Sequence, residues 1–125
     1  MPAKAQSICV LDDDASVRNS IEQLLDSDGL TAQIFQDAEG FLAYAQSHPV
    51  RLAVLDVWMA NKSGLEVQAQ LQVVSPNTKV IVMTGRQIPA IRAAALEGGA
   101  FAFLTKPFDD ETFLTLVRRA LGSRV

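Results

Sequence analysis

The sequence predicts an α/β protein, a doubly wound parallel sheet with helices on both faces. Three observations predict it. Five short apolar runs recur along the chain, at residues 7–11, 31–35, 52–55, 80–83 and 101–104. The longer segments between them space their apolar residues as one face of a helix does. The connections are short, and strand–helix alternation of this kind joins parallel strands through crossover helices.

The first run, Ser7-Ile8-Cys9-Val10-Leu11, is followed by Asp12-Asp13-Asp14. A helix then places Val17, Ile21, Leu24 and Leu25 on one face, at i, i+4, i+7 and i+8. Asp14, with Asp13 beside it, offers an N-cap carboxylate, and Gly29 suits the left-handed residue that ends a helix. The second run contains Gln33, which fits an edge strand. A helix follows around residues 41–45. The runs at 52–55 and 80–83 are apolar throughout, as strands covered on both faces must be. Between them Ser63-Gly64-Leu65-Glu66 has the form of a capping box, with Ser63 bonding the N3 amide and Glu66 reaching back. A helix over 88–96 ends at Gly98-Gly99. The last run precedes a helix carrying Phe113, Leu116, Val117, Ala120 and Leu121 on one face.

A chain of 125 residues, 49% apolar and 20% charged, suits one globular domain with a core of its own. The net charge of −3 leaves no basic surplus for nucleic acid or an anionic membrane. Only Arg118 and Arg119 adjoin among the basic residues. A single cysteine, Cys9, excludes an internal disulfide, and one distant histidine, His48, argues against a Cys/His zinc site. No apolar run approaches a membrane span, and the start, MPAKAQS, lacks a signal-peptide core. A cytoplasmic protein is expected.

Open parallel sheets bind ligands beyond the carboxyl ends of their strands. Asp12-Asp13-Asp14 follow the first run, Asp56 the third, Thr84-Gly85 the fourth and Thr105-Lys106-Pro107 the fifth. Singly these are a helix cap, a loop acid, a turn hydroxyl and a solvated lysine. Jointly they bring acids, a hydroxyl and an ammonium to one sheet edge. Carboxylates that converge repel, so they call for a cation. Oxygen ligands without His or Cys favour a hard metal, and Mg²⁺ fits best. A carboxylate beside such a metal is a nucleophile toward phosphorus, forming an aspartyl phosphate. A lysine then neutralises the transferring group, while a threonine hydroxyl and backbone N–H groups bind its oxygens.

These residues carry a resemblance. Asp12-Asp13, Asp56 within "LDVWM" before Ser63-Gly64, Thr84-Gly85 within "VMTG", Gly99-Ala100 and "FLTKPF" at 103–108 stand in the order and spacing of a known pattern. The chain resembles the receiver domain of bacterial two-component response regulators, over about residues 5–122. The stretch from Thr84 to Phe108 is most similar to receivers that often precede a helix-turn-helix output domain. The resemblance implies a flavodoxin-like (βα)5 fold with strand order 2-1-3-4-5. It implies Asp56 as phosphoacceptor, with Asp13 bound to Mg²⁺ directly and Asp12 through water. The Trp58 carbonyl would be a further metal ligand, and the amides of Trp58 and Gly85 would face the phosphoryl oxygens. Thr84 would move onto the phosphoryl group, Phe103 would swing inward behind it, and Lys106 would pair with it before a cis Pro107.

The implied function is a switch rather than a classical enzyme, with self-catalysed phosphoryl transfer and autodephosphorylation. A sensor histidine kinase is the expected donor. The surface of the fourth helix, fifth strand and fifth helix is the expected contact for a second copy or an output domain; a transcriptional output is expected, without direct nucleic-acid binding by this domain. Ala90, Ala93, Ala94 and Ala95 near Pro89 read equally as helix packing or as part of that surface. No output segment follows the last helix before Val125, and the resemblance favours the first domain of a longer regulator. Ala60 stands where relatives usually have proline, and Gln87 where an acid is often seen, so the loops depart from the pattern while the chemical groups do not. Trp58 and Arg86 flank the site, and their bulk is expected to slow the attacking water. A phosphatase with a second Asp two residues after its nucleophile is argued against by Trp58. A nucleotide-binding module is argued against by the lack of G-x-G-x-x-G and G-x-x-x-x-G-K-[S/T]. A degenerate receiver that binds proteins without phosphate is the alternative, argued against by the full acidic cluster, Thr84 and Lys106.

Overall fold

The computed structural model describes residues 7–122. The remaining residues include the MPAKAQ start and the first two of the expected 5–122 core; both lie outside the described residues. The element order is β1 Ile8–Leu11, α1 Ala15–Ser27, β2 Ala32–Phe35, α2 Ala38–Ser47, β3 Leu52–Asp56, α3 Gly64–Val74, β4 Lys79–Thr84, α4 Pro89–Glu97, β5 Ala102–Thr105 and α5 Asp110–Ala120. The strands form one sheet in the order β2-β1-β3-β4-β5, and every pairing is parallel. This is the expected order. Gln33 lies on an edge strand, and β5 forms the other edge.

Alternate residues of the central strands feed two cores. Cys9, Leu11, Ala53, Leu55, Val80 and Val82 pack with Phe41 of α2, Val67 and Leu71 of α3 and Ala95 of α4. Ile8, Val10, Leu52, Val54, Ile81 and Met83 pack with Ile21 and Leu25 of α1 and Phe113 and Val117 of α5. Full burial of each large side chain contributes about 1.5–3 kcal/mol, so a strand with no polar residue stabilises both layers at once. Burial also pushes the Cys9 thiol up to about 12 and leaves it inert.

Caps fix where the helices begin. Asp14, Asp37 and Asp109 accept backbone N–H bonds at the starts of α1, α2 and α5, and the capping box of Ser63 and Glu66 is complete at α3. α4 has no side-chain cap and begins on Pro89, whose missing N–H is no loss at a first helical position. After α4, Gly99 takes φ +95°, a conformation that a side chain strains.

Three strands run past the apolar runs that announced them. β3 includes Asp56, β4 includes Thr84 and β5 includes Thr105. The reason is backbone pairing: Asp56 lies opposite Met83 and Thr84 opposite Thr105, and a ladder does not depend on an apolar side chain. These polar residues are therefore strand ends rather than loop residues. At the other end of β5, Phe101 precedes the strand and is exposed. Of the four alanines noted on α4, only Ala95 is buried. Among the described residues no helix is long and apolar enough to cross a membrane.

Candidate functional site

Register brings the polar residues together. β1 and β3 are neighbours with Leu11 opposite Leu55, so the next residues, Asp12 and Asp56, stand side by side at the carboxyl end of the sheet. Both are buried, at 1% and 4% exposure. Asp13, one residue on, is exposed. Carboxylate oxygens of Asp12, Asp13 and Asp56 all lie within 4.8 Å of one another. Lys106, just past β5, reaches across the sheet edge. Its Nζ lies 3.1 Å from Asp12 Oδ2 and 3.0 Å from Asp56 Oδ1. The Lys106–Pro107 bond is cis.

The backbone holds these groups in place. Asp12 Oδ1 accepts the Asp14 N–H at 2.9 Å, and the Arg18 guanidinium donates to the Asp12 carbonyl at 2.7 Å. Val57 N–H donates to Met83 O at 2.9 Å and Lys106 N–H to Thr84 O at 2.7 Å, which extends the sheet behind the acids. Gly64 packs against the same spot: a Cβ there would stand 2.3 Å from the Asp56 carbonyl oxygen. Only glycine admits that approach of α3 to the end of β3.

Electrostatics follow from crowding. Burial, reinforced by the Asp12 and Asp13 charges, pushes the Asp56 carboxyl up to about 6, although Lys106 works against the shift. Burial disfavours the Lys106 charge too, but its bonds and attractions to Asp56 and Asp12 hold the ammonium above the usual lysine range. Among the described residues, the Lys106 ammonium thus pairs with Asp12 and Asp56 while Asp13 adds a third acid beside them. The donor set is all oxygen, and a hard divalent cation suits both the ligand type and the excess negative charge. The residues present fit Mg²⁺.

Thr84 ends β4 and is fully buried. Its Oγ1 accepts the Trp58 Nε1–H at 2.6 Å and the Arg86 N–H at 3.0 Å, and its hydroxyl donates to Arg86 O at 3.2 Å. Trp58 is 39% exposed, and the Arg86 guanidinium carbon lies 4.6 Å from the indole ring centroid. Gly85 is exposed beside them. Phe103 is half-buried on β5 and lines a surface hollow with Gln87, Ile88, Pro89, Arg92 and Thr105. It lies on the α4 side of the sheet.

Asp12, Asp13, Asp56 and Lys106 are therefore one cluster, with Thr84, Trp58 and Arg86 forming a second set linked through the β3 and β4 ends. Sequence reasoning missed three features. The Trp58–Thr84 bond joins the loop after β3 to the end of β4, an approach that no spacing encodes. The Ala60 N–H donates to Asp13 Oδ2 at 3.0 Å; its signal was present, since a proline at that position would have no N–H to give. The Gly64 approach to Asp56 was hidden behind its place in a capping box.

Comparison with known proteins bears on this arrangement. The profile of the family described as the response regulator receiver domain matches residues 8–118. The response regulator protein TodT of Pseudomonas putida is 35% identical over 121 residues, covering 97% of this chain and 53% of that protein. The transcriptional regulatory protein FixJ of Azorhizobium caulinodans is 39% identical over 113 residues, covering 90% of this chain and 54% of that protein. The chain spans about half the length of these curated relatives. A crystal structure of a CheY-like response regulator receiver domain protein from Methanospirillum hungatei JF-1 matches with a TM-score of 0.90 at 25% identity, covering 95% of each chain.

Proposed function

The chain belongs to the response regulator receiver domain family, and from that premise we propose that it is a phosphorylation-dependent switch with Asp56 as phosphoacceptor. The observation that carries the reading is the approach of the Asp12, Asp13 and Asp56 oxygens to within 4.8 Å, with one ammonium 3.0 Å from Asp56. An oxygen of ionised Asp56 attacks phosphorus. The phosphorus–nitrogen bond of a phosphohistidine on a sensor kinase breaks, and the imidazole leaves with the electron pair. Lys106 then pairs with the transferred group, and the amides of Trp58 and Gly85 donate to its oxygens.

Asp12, Asp13, Asp56 and the Trp58 carbonyl would hold Mg²⁺. When bound, it supplies charge neutralisation for the acids and for the incoming phosphoryl group. The rigidity of the buried β3 keeps Asp56 aimed, so the chain's own contribution is positioning.

Phosphorylation adds about −1.5 to −2 charges and three acceptor oxygens at one point. Thr84 moves to donate to one of them, and Phe103 turns into the space behind. The surface of α4, β5 and α5 changes in response and governs contact with a second copy or an output domain. Because the similar proteins include transcriptional regulators about twice this length, we assign a transcriptional output to the longer protein, in the cytoplasm, with no nucleic acid or membrane contact by this domain itself.

Intact mass spectrometry tests the reading. With Mg²⁺ and acetyl phosphate the protein should gain one phosphoryl group. Asp56→Asn and chelation of the metal should each abolish the gain. A gain that persists in Asp56→Asn would assign the chemistry elsewhere, and no gain from either acetyl phosphate or a phosphorylated kinase would reject the switch.

A further inference from the structure

The Thr84 hydroxyl is saturated. A threonine hydroxyl has one proton to donate and two lone pairs to accept with. Here the proton goes to Arg86 O, and the lone pairs take the Trp58 indole N–H and the Arg86 backbone N–H. The indole contact is the shortest of the three, at 2.6 Å. It is also the only one made by a side chain from another strand end. Arg86 adds a second tie, since its guanidinium stacks on the same indole at 4.6 Å from the centroid. Trp58 therefore bridges the loop after β3 to the loop after β4 and fastens the buried hydroxyl between them.

We propose that Trp58 is a positioning residue that latches Thr84 in the resting state, so that phosphoryl binding at Asp56 must break the indole–hydroxyl bond. The proposal rests on the reading of Asp56 as phosphoacceptor and Thr84 as the hydroxyl that moves onto the phosphoryl group. To serve that group, Thr84 withdraws its proton from Arg86 O, and shifting its oxygen releases the indole. The released N–H meets water, because Trp58 is already 39% exposed. The latch is therefore weak enough to open and strong enough to bias the resting population. A hydrogen bond of this kind corresponds to about a 3- to 10-fold bias in a two-state equilibrium. A ligand that prefers the open state must overcome it, and its apparent affinity falls by the same factor.

Trp58→Phe removes the N–H while keeping an aromatic face for Arg86. The site lies at a half-exposed rim, so the variant keeps its core. The parent and Trp58→Phe are titrated with beryllofluoride in the presence of Mg²⁺, as a non-covalent stand-in for the phosphoryl group, and with Mg²⁺ alone. Amide NMR signals of Thr84 and Gly85 give both midpoints. The latch predicts that Trp58→Phe binds beryllofluoride about 3- to 10-fold more tightly at saturating Mg²⁺, with the Mg²⁺ titration fixing that saturation for each protein. Its Thr84 amide in the free protein should also sit partway toward the bound position. In a Thr84→Ala background the gain should vanish, which ties it to the hydroxyl. An equal or weaker beryllofluoride midpoint in Trp58→Phe, with the parent binding normally, overturns the latch and leaves the switch reading intact. A parent that binds Mg²⁺ but no beryllofluoride overturns the switch reading, and the latch with it.

Discussion

The two ends of the sheet are built on opposite rules. At the amino end, polar groups meet neutral partners. Arg51 and Leu52 N–H groups converge on Ser7 O, Lys79 N–H donates to Arg51 O, and Thr78 Oγ1 donates to Val50 O at 2.6 Å while meeting Ser75 Oγ. The Arg51 guanidinium closes that end by donating to Leu121 O, at the negative pole of α5. At the carboxyl end the same sheet gathers three acids around one lysine. The first end pairs its polar groups with neutral partners, and the second concentrates like charge. The lesson is that, among the described residues, the crowding of like charge lies at one sheet edge, the edge where a bound cation would relieve it.

The largest expected effect comes from removing the Lys106 ammonium. Lys106→Met leaves Asp12 and Asp56 buried without compensation. It should lower stability by about 3 kcal/mol at pH 8 without Mg²⁺, and millimolar Mg²⁺ should restore part of the loss. Urea denaturation with and without the metal measures both. A variant as stable as the parent would break the comparison.

Asp56→Asn should act in the opposite direction. The Asp56 carboxyl is pushed up to about 6, so the folded protein holds this proton more tightly than the unfolded chain does. Ionised Asp56 therefore costs stability above pH 6, and the cost fades as pH falls through 6 toward 4. In metal-free protein the asparagine variant should be more stable by about 2–3 kcal/mol at pH 8, and the two proteins should converge near pH 4. A gain that grows on acidification would reverse the sign of the argument.

The smallest effect belongs to the amino end. Thr78→Val should cost about 1 kcal/mol. Neither pH between 5 and 8 nor Mg²⁺ should alter that cost, because no charge is involved. Pairing this variant with the two above shows whether the ends are independent, as their separation along the strands implies.

Much of this molecule is legible in its sequence, and the rest is hidden for identifiable reasons. The unbroken apolar runs around Val10, Val54 and Ile81 announce strands covered on both faces, and their order among the helices is enough for the parallel sheet. Asp12, Asp56 and Lys106 can be placed at one edge because the carboxyl ends of parallel strands point the same way. What periodicity does not carry is the lateral meeting of loops. Trp58 and Thr84 are far apart in the chain, and their bond depends on how two connections fold over the sheet end. α4 is ambiguous for a related reason: its four alanines fit a packed face and an interaction surface equally, and only the fold shows that Ala95 alone of the four is buried.

Trp58 is the only tryptophan in the chain, and its ring nitrogen is committed to Thr84. The emission of an indole responds to whether that nitrogen is bonded to protein or to solvent, and to a cation lying over the ring. The molecule thus carries its own optical reporter at the joint where its two loops meet. Opening of that joint should be visible in unlabelled protein, in real time and in a single colour, with no background from any other tryptophan.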